Sequence, residues 1–133
     1  MSKTQTYQIH LAKSEHGQVM LKEGAAPPKP QAKRVPARTA RLLALAYRID
    51  GLVRDGKMTD YAEVALVAGL TRARISQITD LMFLAPTIQE RVLRETKPEC
   101  GRERFGERHL REIIRDHDWD RQIKAFEKLL NVN

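Results

Sequence analysis

Residues 60–82 read DYAEVALVAGLTRARISQITDLM. Two helix-forming stretches meet there at Gly69, and a polar run, TRARISQ, follows the joint. A helix-turn-helix needs a small residue where its two helices cross, and four positions later a residue that tolerates positive φ. Six positions after the turn it needs an aliphatic side chain that packs back onto the first helix. Ala65, Gly69 and Ile75 meet those three demands, and Val64, Ala68, Leu70 and Ile78 supply apolar support. Asp60 and Glu63 form a D-x-x-E start for the first helix, ending at Ala68, and Thr71 caps a second helix running to about Phe83.

Burying Ile75 and Ile78 turns Thr71, Arg72, Ala73, Ser76, Gln77 and Asp80 outward, with Arg74 at the flank. Such a helix lays its N-terminal residues against base edges in the major groove. Arg72 suits guanine O6 and N7, and Gln77 suits adenine N6 and N7. Thr71, Arg74 and Ser76 suit phosphates, helped by the helix N-terminus. Asp80 is expected to pair with a basic neighbour or to reject some sequences.

Upstream, a helix is expected from Ala37 to Asp55, with Pro36 in its first turn and Gly56 as its C-terminal cap. Its apolar stripe is Leu42, Leu45, Ala46, Ile49, Leu52 and Val53. Arg34, Arg41 and Arg48 share another face if the helix starts early enough. Residues 5–11 and 18–22 alternate apolar and polar side chains around Gly17 and predict a β-hairpin. The proline-rich, basic stretch 25–36 reads as an extended linker. Downstream, a helix starts near Pro86 and stops before Pro98, KPECGRERFG is a loop, and two more helices follow. Asp118 caps the last one, whose stripe is Trp119, Ile123, Phe126, Leu129 and Leu130. The expected fold is mainly α: an N-terminal hairpin or arm (1–24), the linker (25–36), a helix-turn-helix bundle (37–97) and a C-terminal helical extension (98–133).

Aromatics are 5% of the 133 residues, so the core must be aliphatic. No apolar run approaches the roughly 18 residues of a membrane span, and MSKTQTYQIH has no signal core. With a lone cysteine, Cys100, this points to a cytoplasmic protein without an internal disulfide. The formal charge of +7 is unevenly placed. Residues 1–57 hold 11 Lys and Arg against 4 Asp and Glu, residues 58–84 hold 2 against 3, and residues 85–133 hold 11 against 10. A polyanion is the natural partner of such an excess, and Lys33, Arg34, Arg38 and Arg41 are the candidate phosphate contacts. Residues 99–121 alternate in sign and read as a solvated, ion-paired surface.

The stretch MTDYAEVALVAGLTRARISQITDLMFLAPTIQERVL, residues 58–93, resembles the helix-turn-helix of the ParB/KorB class. It is more similar still to helix-turn-helix modules at the C-terminal end of some serine recombinases, and to small DNA-binding proteins of phages and mobile elements. RTARLLALAYRIDGLV, DYAEVA, TRARISQI, LAPTIQE and ERHLREI…DWDRQ carry that likeness, best from Arg38 to Leu93. The resemblance implies double-stranded DNA binding through positions 71–77 and carries over nothing catalytic.

His10, His16, His109, His117 and Cys100 lack zinc-site spacing, and Ser2, Ser14 and Ser76 lack a nucleophile's setting. The expectation is a non-enzymatic, sequence-specific DNA-binding protein without cofactor or metal, a homodimer, regulating transcription in a phage or mobile element. The alternatives are an accessory directionality factor acting with a serine recombinase, and a protein-interaction module that does not bind DNA.

Overall fold

Gly56 ends the first helix as the sequence predicts, whereas Pro36, expected in its first turn, lies in a strand just ahead of it. In the computed structural model, which describes residues 9–13, 19–24 and 33–132, α1 spans Arg38–Arg54. Gly56 follows it at φ 74°. The Gly56 N–H donates to the Val53 carbonyl and the Lys57 N–H to that of Leu52, which closes the helix by satisfying its last carbonyls. The chain divides into two units, Met1–Gln31 and Ala32–Asn133.

In the first unit, strands β1 (Ile9–Lys13) and β2 (Val19–Glu23) pair antiparallel with Leu11 opposite Leu21. These strands overlap the hairpin expected over 5–11 and 18–22, and the first runs on to Lys13. Residues 5–8 and the Gly17 turn lie outside the described residues, as do residues 25–32 of the expected linker.

The second unit begins with a correction to that linker. Arg34–Pro36 form β3, paired antiparallel with β4, Thr96–Pro98, which lies where the helix from Pro86 was expected to run on and the loop to begin; that helix ends at Leu93. Local sequence hid this ladder because its partners are 62 residues apart. The Arg34 guanidinium donates to Thr96 Oγ1 and to the Thr96 carbonyl, both at 2.9 Å. The Ala37 N–H donates to the Glu95 carbonyl, also at 2.9 Å.

Helix α2 (Tyr61–Ala68) starts at Asp60, whose carboxylate accepts from the Glu63 N–H at 2.9 Å. The Glu63 side chain in turn accepts from the Thr59 N–H at 2.6 Å. Gly69 stands at φ 69°, with Gly69 N–H donating to the Leu66 carbonyl and Leu70 N–H to that of Ala65. Helix α3 (Arg72–Thr79) tightens into a 3-10 turn over Asp80–Phe83, where an α-helix to Phe83 was expected. The Thr79 hydroxyl donates to the Ile75 and Ser76 carbonyls, and the tightening drops Leu81 and Leu84 into the core. Helices α4 (Pro86–Leu93), α5 (Glu107–Ile114) and α6 (Trp119–Val132) complete a mainly α unit. No helix among the described residues is long and apolar enough to cross a membrane.

Two apolar clusters meet along α1. Ala46 and Ile49 pack with Val64, Ala65, Ile75 and Ile78 of α2 and α3. Leu43 packs with Leu81, Leu84, Ile88 and Val92, and this cluster runs on through Leu110 and Ile113 of α5 to Phe126 of α6. Phe105 and Phe126 meet edge to face at 5.3 Å. Residues beyond 98 thus share one core with α1 and α4. The predicted stripes need amending where a helix has no neighbour on that side. Leu45, Ala68, Leu70 and Trp119 are exposed, and Leu43 takes the central place on α1.

A buried amide joins the C-terminal helix to the centre. Gln122, 1% exposed, accepts from the Ala85 N–H at 2.8 Å and donates to the Asp116 carbonyl at 2.7 Å and that of Phe83 at 3.4 Å. It satisfies polar backbone at the start of α4 and in the α5–α6 turn, which burial would otherwise orphan. Asp118 caps α6 as predicted, accepting from the Arg121 N–H at 3.1 Å.

Candidate nucleic-acid interface

Thr71 sets the start of α3. Its hydroxyl oxygen accepts from the Arg74 N–H at 3.1 Å, the bond that makes threonine a good cap. Ile75 and Ile78 are buried, and at about 100° per residue this leaves Thr71, Arg72, Ala73, Ser76 and Asp80 exposed. Arg72 makes no ion pair among the described residues, and Ala73 leaves the surface beside it low. Asp80, expected to have a basic partner, has no ion pair there either.

Arg74 and Gln77 are placed differently from their neighbours. Both are half-buried, turned toward α5. The Arg74 guanidinium donates to both carboxylate oxygens of Glu107, at 2.6 and 3.1 Å, and to Gln77 Oε1 at 3.3 Å. The two ionic side chains are only 27% and 16% exposed. The hydrogen bonds to Glu107 push the Arg74 pKa above its ordinary range against the opposing effect of burial. The fork-to-fork geometry fixes the first turn of α5 beside α3. Further along, Gln77, Asp80 and Phe83 line one groove of about 370 Å³ together with Arg111, Ile114, Arg115 and His117.

The second set of predicted contacts lies elsewhere. Arg34 belongs to β3, so it does not continue the α1 face of Arg41 and Arg48, and its guanidinium is held on Thr96. The Lys33 carbonyl accepts from the Glu99 N–H at 2.9 Å. The Arg38 N–H donates to the Glu103 carboxylate. Lys33, Arg38 and Arg41 have exposed side chains. No described hydrogen bond or ion pair links these four residues to α3.

The chain matches no family model, no curated protein and no solved structure. The site therefore has to be read from its own geometry, and that geometry adds residues. Arg111 and Arg115 were absorbed, in sequence, into a region of alternating charge. They are exposed, and neither has an acidic partner among the described residues. Their four-residue spacing on a helix that buries Leu110 and Ile113 is the signal that could have separated them from their paired neighbours.

Proposed function

We propose that this protein is a non-enzymatic, sequence-specific double-stranded DNA-binding protein that regulates transcription in a phage or mobile element, with α3 as its recognition helix. The observation that carries the reading is the α2–Gly69–α3 corner. Its inner side is closed by Ala65, Ile75 and Ile78, and its outer side offers Arg72, Ala73 and Ser76. An α-helix with its side chains is about 10–12 Å across, which a major groove about 12 Å wide admits. In this reading Arg72 forks onto a guanine, Gln77 reaches a base from the groove side, and Thr71 and Ser76 hold phosphates. Arg74 acts through Glu107 as a positioning residue. Pairing of two copies on a palindromic site gives the homodimer expected of such a fold.

The test is selection from a random duplex library, followed by affinity measurements on the enriched site. Arg72→Ala should weaken that site by roughly 1–3 kcal/mol and relax the sequence preference, while Lys33→Ala should weaken all duplexes alike. Unchanged affinity of Arg72→Ala for the enriched duplex would remove α3 from the groove. One observation favours a second reading, docking of another protein, such as a recombinase that this chain assists. Leu66 and Val67, adjacent on α2, are 82% and 67% exposed, and adjoining exposed apolar side chains mark docking sites. Absence of any enrichment at low salt would favour that reading.

A further inference from the structure

The α2–α3 corner carries only Arg72 as an unpaired cation, since Glu107 neutralises Arg74. A protein on DNA needs several positive charges near the phosphates that border its groove. One supply is on α5. The Arg74–Glu107 fork sets the beginning of α5 against the first turns of α3. Beyond it, Gln77, Asp80 and Phe83 line one groove with Arg111, Ile114 and Arg115, and α5 packs on the 3-10 turn that follows α3. With α3 in a groove about 12 Å wide, an element that flanks the reading helix falls toward the phosphate row at the groove's edge rather than over bases.

The charges facing that edge are settled by their partners. Arg121 is held by Asp116 at 3.0 Å and lies 3.9 Å from Asp118, and Arg108 stands 4.0 Å from Glu112. Arg111 and Arg115 remain exposed and make no ion pair among the described residues: His117 and Asp80 share their groove, and the neighbouring carboxylates Glu112, Asp116 and Asp118 face Arg108 and Arg121. We propose that Arg111 and Arg115 of α5 grip the phosphates bordering the groove that α3 enters. They supply sequence-independent affinity next to the reading helix and outweigh Asp80. This rests on the DNA-binding reading above and adds a second helix to its interface.

The experiment measures affinity of the full chain for two duplexes, one carrying the enriched site and one unrelated, between 50 and 200 mM salt. Each phosphate contact contributes about 0.9 to the slope of log affinity against log salt. Arg111→Gln with Arg115→Gln should therefore reduce the slope by about 1.8 and weaken both duplexes by the same factor, and each single change should remove about half. Arg121→Gln removes the same formal charge from an arginine already paired, and should leave the slope as it was. An unchanged slope in the double variant, with the wild type still preferring its site, overturns the α5 contact and leaves the DNA reading intact. Loss of preference for the enriched site alone also overturns it, because the arginines would then read bases. Failure of the wild type to bind either duplex at low salt removes the DNA reading itself.

Discussion

Cutting the Arg74–Glu107 fork tests the part of the structure that sets α5 against α3. An exposed ion pair contributes about 0–1 kcal/mol, and removing one partner of a fully buried pair costs about 3–5 kcal/mol. At 27% and 16% exposure, with two parallel bonds, this pair falls between those limits. Glu107→Gln keeps one acceptor and loses the charge, so the expected cost is about 1–2 kcal/mol. With a urea dependence of about 2 kcal/mol per molar, the unfolding midpoint followed by far-ultraviolet circular dichroism should fall by roughly 0.5–1 M. A double-mutant cycle of Arg74→Ala and Glu107→Ala separates the pair from the other contacts of each side chain, and should return a coupling of about 1–2 kcal/mol. A coupling below about 0.3 kcal/mol would refute the idea that this fork holds the two helices together.

Gln122→Met keeps much of the shape and removes the acceptor of the Ala85 N–H, so it should cost about 1–3 kcal/mol in urea unfolding, and Gln122→Ala more through the added void. Gly69→Ala meets nothing within 4 Å, so its cost is the left-handed backbone alone, about 1–2 kcal/mol, and Gly69→Asn should cost less in the same assay. Asp50 accepts from Arg54 and from the Tyr61 hydroxyl, and these bonds, Arg54's first, hold its carboxyl below the usual carboxylate range. A lowered folded pKa gives stability that is present above about pH 4 and lost as pH falls through the folded value. The stability advantage of the wild type over Asp50→Asn should therefore shrink below about pH 4 in acid titrations of unfolding.

What the sequence made legible is local. Asp60, Gly69 and Thr71 act on backbone groups within four residues of themselves, and each does what its side chain, or the lack of one, dictates. Ile75 and Ile78 follow from helical period alone. The contacts that escaped are those between distant segments. Arg74 looked like a phosphate ligand because nothing near it in sequence competes, and Glu107 is 33 residues away. Trp119 reads as part of the core because it is large and lies on an apolar stripe, but it is 54% exposed and Phe126 is the aromatic of α6 in the core. The α5 arginines escaped because alternating charge in sequence does not tell which cations find a carboxylate in space.

The small β3–β4 ladder has a consequence for the order in which the chain assembles. Bringing Arg34 to Thr96 closes a loop of 62 residues, which by the logarithmic law costs roughly 3–4 kcal/mol of chain entropy. Each strand has only three residues, and each contains a proline that cannot donate to the ladder. So short a ladder cannot offset that entropy unless α1 and α4 have already brought its ends together. It should be the last element of this unit to form and the first to open. In hydrogen exchange, the Glu99 amide that donates to Lys33 should then lose its protection well before the amides in the middle of α1.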